Sequence, residues 1–226
     1  MLKPILVAAI ATAAMATSAA AATLNGDFTV TAINVTNLDS AESQATMTNF
    51  DLAMLGDLGG EDNGSSVSTF SYSGDLNFST TDSTDSTTIA DWLATGTNGT
   101  VTDLDGTFGD LQLSKPNIGN GTATTTFFLF ETILNLAGDF VVKHDDGMAI
   151  FDDGDRIGGR VGPNAVKTTD VFGFDGGEFG LLYVATNGDP SILNVNGDLA
   201  PIPLPATLPL LLAGMGGLAI MRRKRT

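Results

Sequence analysis

Phe28, Val30 and Ala32 occupy every second position, with Thr29 and Thr31 between them. The same period of two runs through Phe70, Tyr72, Leu76 and Phe78, with Gly74 on the same side. It recurs in Phe140 and Val142, and again in Phe179, Leu181 and Tyr183. Alternation at this period places one set of side chains on one face of an extended strand. The runs are rich in Thr, Val and Phe, which pack well on a pleated surface. Asn-Gly or Asp-Gly pairs punctuate them at 25–26, 63–64, 98–99, 120–121, 146–147, 153–154, 187–188 and 196–197. Such pairs accept positive φ and mark tight turns. The pattern predicts an all-β chain folded as an antiparallel β-sandwich. Two stretches break it, and short helices are predicted within 41–58 and over Ile89–Ala94. Ser79 to Thr88 is a Ser/Thr/Asp tract that cannot bury itself, and it reads as an exposed loop marking a subdivision near 79–100.

The two chain ends carry different signals. Lys3 precedes an apolar run from Ile5 to Met15, and Ala20-Ala21-Ala22 fits a small-residue cleavage site. Residues 1–22 are therefore expected to be a signal peptide with an apolar helix, cut by signal peptidase at Ala20 and Ala22. At the other end, Ile202-Pro203-Leu204-Pro205-Ala206 leads into an apolar, Gly-rich run that ends at Met221. Arg222, Arg223, Lys224 and Arg225 follow. The run sits at the lower length limit for a membrane-spanning helix, expected over 204–221, with the basic cluster held on the cytoplasmic side. Residues 23–200 would then form an exported ectodomain, and 201–226 its tail.

The Ile202–Ala206 motif, the apolar run and the terminal basic cluster together resemble the VPLPA-type variant of the PEP-CTERM sorting tail, with Ile202 in place of the usual Val. That resemblance implies processing by an exosortase, a membrane-embedded cysteine protease. It also implies delivery to the cell surface or extracellular matrix, with membrane residence that is transient or lasting. A plain single-pass anchor is the simpler alternative.

Charge narrows the partners. All 26 acidic residues lie between Asp27 and Asp198, against Lys115, Lys143, Arg156, Arg160 and Lys167, a net −21 for the ectodomain. Such a surface repels nucleic acid and anionic lipid. It suits a medium in which cations screen or bridge carboxylates. The chain has no cysteine, which excludes disulfides, thiolate metal sites and cysteine nucleophiles. His144 is the lone histidine, which excludes multi-histidine zinc sites. No G-x-S-x-G elbow or phosphate-binding loop occurs. The acids cluster in Gly-rich turns, where exposure would keep their pKa values low and make poor general acids. No catalytic residue is assigned, and the chain is not expected to be an enzyme.

The most distinctive run is Phe140-Val141-Val142-Lys143-His144-Asp145-Asp146-Gly147-Met148-Ala149-Ile150-Phe151-Asp152-Asp153-Gly154. It reads as a strand, an Asp-Asp-Gly turn, a strand and a second Asp-Asp-Gly turn. With the lead-in Leu136-Ala137-Gly138-Asp139-Phe140, it resembles the β-sandwich family of the anthrax protective antigen, shared by some yeast adhesins and bacterial glycosidases. Phe179–Val184 and Ser191–Val195 resemble that family's closing strands. The family's aromatic and Trp positions near the end are absent here. In the adhesin branch the paired Asp residues bind calcium and the calcium holds a sugar. The resemblance therefore implicates Asp145 and Asp146 as calcium ligands and polysaccharide as a partner. Calcium takes six to eight oxygens, so further ligands would have to come from Asp152, Asp153, Asp155 or Asn187. The competing reading is that Asp146-Gly147 and Asp153-Gly154 are type I′ hairpin turns with no ligand. Three functional classes follow: a surface or matrix protein with calcium-dependent carbohydrate binding, a purely structural matrix protein, and a carbohydrate-active hydrolase.

Overall fold

The computed structural model describes residues 21–59, 64–80, 86–116 and 123–202. The expected signal helix, Ala20, Pro203–Ala206, the transmembrane helix over 204–221 and Arg222–Arg225 lie outside them. Among the described residues no helix is long and apolar enough to cross a membrane.

The elements run β1 (Ala22–Thr23), β2 (Asn25–Thr36), α1 (Met47–Leu55), β3 (Ser65–Asp75), β4 (Asn77–Ser79), α2 (Ile89–Ala94), β5 (Thr100–Thr102) and α3 (Gly106–Gly109). They continue with β6 (Thr124–Leu134), β7 (Leu136–Asp145), β8 (Met148–Asp152), β9 (Asp155–Arg160), β10 (Lys167–Phe174), β11 (Gly177–Ala185) and β12 (Ile192–Pro201). All strand pairings are antiparallel, in two sheets. One has the order β5-β3-β2-β6-β11-β8-β9. The other runs β1-β12-β7-β10, with β4 also pairing β12. Strands from before and after 79–100 share both sheets, since β2 pairs β6 and β4 pairs β12.

The alternating residues face inward between the sheets. Phe28, Val30, Phe70, Tyr72, Leu76, Phe78, Phe130, Phe140, Val142, Phe179, Leu181 and Tyr183 all belong to this core. Each such aromatic or large aliphatic side chain contributes about 1.5–3 kcal/mol by leaving water. The run from Phe70 to Phe78 stays inward while its backbone changes sheet between β3 and β4. Trp92 of α2 enters the same core, stacked on Tyr183 at 5.3 Å between ring centroids and 10° between planes. Its indole N–H donates to the Ser191 carbonyl at 3.1 Å.

A second core lies on the outer face of the seven-stranded sheet. There Phe50 and Ala53 of α1, with Leu38, Ala45 and Leu58, cover Ile33, Phe127, Leu129, Ala149, Leu182 and Val184. Thr46 caps α1 by accepting from the Asn49 N–H. Gly56, at φ 76°, ends it in the left-handed conformation that glycine adopts without strain. Asn77, Asn194, Asn196 and Thr23 form a hydrogen-bonded side-chain ladder that fastens the short β1 and β4 to β12.

Candidate functional site

In an antiparallel sandwich, successive connections alternate between the two ends of the strands. Here β7–β8, β9–β10 and β11–β12 meet at one end. β6–β7, β8–β9 and β10–β11 lie at the other. The first trio forms a pocket of about 280 Å³ lined by Asp145, Asp146, Asn164, Asn187 and Asp189, among others.

The Asp145-Asp146-Gly147 segment is not a hairpin turn. β7 and β8 lie in different sheets, so the chain crosses the sandwich here. The Asp145–Asp146 peptide bond is cis. Gly147 has a different requirement from the expected positive φ: a Cβ there would collide with the Val161 carbonyl oxygen. The second motif does match the turn reading. Asp152 pairs with Asp155 across a two-residue loop, in which Asp153 and Gly154 have φ of 48° and 85°.

Both carboxyls of the first motif are buried rather than exposed, at 7% for Asp145 and 3% for Asp146. Their backbone and side chains are held from several elements. Tyr183 donates its hydroxyl to the Asp145 carbonyl. Asp146 Oδ1 accepts from the Asn164 N–H at 3.1 Å, and Oδ2 from the Thr186 N–H at 3.0 Å. The Asp146 carbonyl accepts from Asn164 Nδ2 and from His144 Nδ1. Since that imidazole nitrogen faces a carbonyl, it carries the proton, and Nε2 accepts from the Thr169 hydroxyl at 2.8 Å. His144 is therefore a buried neutral residue near the end of β7, and burial holds its pKa below the ordinary value.

The pair's electrostatics overturn the expectation of low pKa values. Burial pushes Asp145 up to about 6. Burial, and then the neighbouring Asp145 charge, push Asp146 up to about 8. No cationic side chain contributes to either shift. Asn164 Oδ1 is buried without a hydrogen-bond partner.

Of the further ligands suggested by sequence, only Asn187 lines this pocket. Asp152, Asp153 and Asp155 sit on the β8–β9 hairpin at the other end of the sandwich. There Asp152 accepts from the Asp175 N–H and Asp153 from the Glu178 N–H. Among the described residues no group of three or more His, Asp or Glu side chains converges as a metal site. Asn164, Thr186 and Tyr183 were not singled out by sequence. The first two lie in the β9–β10 and β11–β12 connections, whose approach to Asp146 depends on the sheet order. Of the tail and leader residues, Ala22 pairs with Gly197 in β1, and Ile202 follows β12.

No protein-family model and no curated protein matches the chain. Two solved structures resemble it. One is the PA14 sugar-binding domain from an RTX adhesin, at 15% identity and a TM-score of 0.47, covering 74% of this chain and 88% of that one. The other is the PA14 domain of the MpAFP antifreeze protein, at 16% identity and a TM-score of 0.45, covering 77% of this chain and 84% of that one.

Proposed function

We propose that this chain is an exported cell-surface or extracellular-matrix protein that binds carbohydrate through calcium at the Asp145–Asp146 pocket. One observation carries the reading: two adjacent buried carboxyls open on a pocket that no cationic side chain lines. A divalent cation would supply that charge. Calcium prefers hard oxygen ligands. The two carboxylates provide them, and the unpartnered Asn164 Oδ1 is another oxygen of the same kind. Asn187 and Asp189 line the same space. Bound calcium would leave coordination positions for water or vicinal sugar hydroxyls. The pocket volume is close to the lower end of ligand sites, ~300–1,000 Å³, which suits one sugar unit of a polymer.

The proposed role is binding rather than hydrolysis. Both Asp146 carboxyl oxygens already accept backbone N–H groups, which hold the side chain in place. Delivery is read from the chain ends: signal peptidase acting at Ala20–Ala22, and an exosortase-like membrane protease acting at Ile202–Ala206.

A purely structural role is the second reading, favoured by the way Asp146 ties three connections together. Calorimetric titration separates the two. The calcium reading expects saturable binding by the wild type and none by Asp145→Asn/Asp146→Asn. At a calcium concentration 100 times Kd it also expects a rise in melting temperature of roughly 5–10 °C. A glycan-binding signal lost on chelation completes the test. Absence of calcium binding by the folded wild type leaves the structural reading.

A further inference from the structure

The five basic residues of the ectodomain are not spread evenly over its acidic surface. Lys167 pairs with His144 in the β7–β10 ladder, one position from Asp145. Lys143 pairs with Thr168 on one side and Asn194 on the other, two positions from Asp145. Arg160 pairs with Met148, two positions from Asp146, and its charge reaches His144. All three side chains are exposed. Register therefore places three of the five cations at strand positions close to Asp145 and Asp146, outside the residues that line the pocket itself.

The opposite end is different. β12 and β7 pair over ten positions, from Ile192 with Asp145 to Pro201 with Leu136. At about 3.4 Å per residue, that end lies about 30 Å away. There Asp139 faces Asp198 in register, and Asp152, Asp153, Asp155, Asp175 and Glu178 gather at the turns. Lys143, Arg160 and Lys167 equal in number the acids that line the pocket, Asp145, Asp146 and Asp189.

We infer that the pocket selects acidic polysaccharide, a polymer carrying carboxylate-bearing sugars, with Lys143, Arg160 and Lys167 as the rim that reads its charge. This rests on the carbohydrate-binding reading above and adds the ligand class to it. A neutral glycan would gain nothing from the rim. An anionic polymer approaching the opposite end meets repulsion from its clustered acids, so the charge pattern both directs and orients it. Ion pairs made at an exposed rim are screened by salt, which gives the interaction a characteristic salt dependence.

The test uses the full chain in detergent, with hexagalacturonate and uncharged maltohexaose as probes in calcium. The wild type is expected to bind the acidic probe at least about tenfold more tightly, a difference of about 1.4 kcal/mol. Binding should weaken as sodium chloride is raised. Lys143→Gln/Arg160→Gln/Lys167→Gln should lose that preference while binding calcium as tightly as the wild type or more so. Equal affinity for the two probes, or a triple variant that keeps the preference, overturns the inference. So does failure of the wild type to bind the acidic probe. Absence of calcium binding in the wild-type titration strikes the preceding reading instead. Rim selectivity is then read from the same variants in chelator, where an unchanged preference again overturns it.

Discussion

The Tyr183 hydroxyl donates to the Asp145 carbonyl across the sandwich. β11 and β7 belong to opposite sheets, so one phenol fixes the pocket's acidic segment to the strand behind it. Tyr183 is fully buried, which raises its own pKa and keeps the hydroxyl a donor. In Tyr183→Phe the carbonyl loses this partner. Leaving a buried acceptor unsatisfied costs about 1–3 kcal/mol. Chemical denaturation should show that loss, and calorimetry should show weaker calcium binding. Normal calcium affinity in the folded variant would mean that the hydroxyl does not position the site.

The Asp pair sets an unusual pH response in the absence of calcium. Raised carboxyl pKa values mean that the folded state binds more protons than the unfolded one above about pH 4, so stability falls as pH rises through the window. His144 acts oppositely below its unfolded pKa of about 6.5, because its folded pKa is lowered. Between about pH 6.5 and 8.5 the Asp146 effect stands alone. Melting temperature in chelator should therefore drop across that interval, and on the proposed calcium reading saturating calcium should flatten the drop by binding the ionised pair. A pH-independent melt in chelator would show that the pair is not buried as described.

Gly147 offers a test of the crossover. Its Cβ would meet the Val161 carbonyl, a backbone atom that is itself bonded to the Ala45 N–H. Overpacking of this kind costs about 1–3 kcal/mol. Gly147→Ala should melt several degrees below the wild type. Gly154→Ala meets no atom within 4 Å but has φ of 85°, so its cost is backbone strain confined to the hairpin. The two variants should differ in calcium affinity, with only Gly147→Ala reduced.

The edge ladder makes a separate prediction. Asn194→Ala removes the bond to Asn77 and the one received from Asn196. These residues are part-exposed, so the loss should be modest, about 1 kcal/mol. Hydrogen exchange should show it as faster opening of β1 and β4, with the pocket end unchanged.

Much of the fold was legible because burial on one face imposes a period of two. Phe28, Val30, Phe140, Val142, Phe179 and Tyr183 face the core as their spacing predicts. The helix over Ile89–Ala94 also lies where sequence placed it. Sheet membership was not legible. Asp146-Gly147 and Asp153-Gly154 share a local pattern, yet one crosses between sheets and the other closes a hairpin. The difference lies in which distant strand each flanking segment pairs with. For the same reason Asp145 and Asp146 could be named from the motif, while Asn164, Thr186 and Tyr183 depend on contacts between residues 18 to 40 positions apart.

Trp92 is the chain's single tryptophan, and its place in the core has a practical result. One face of the indole lies on Tyr183, which holds Asp145. The indole N–H grips Ser191, at the end of the connection that lines the pocket. Ultraviolet emission from the unlabelled protein therefore comes from a spot two contacts from the candidate ligands, giving the sandwich a built-in optical gauge. Filling the pocket should register as a change in colour or brightness long before any unfolding does.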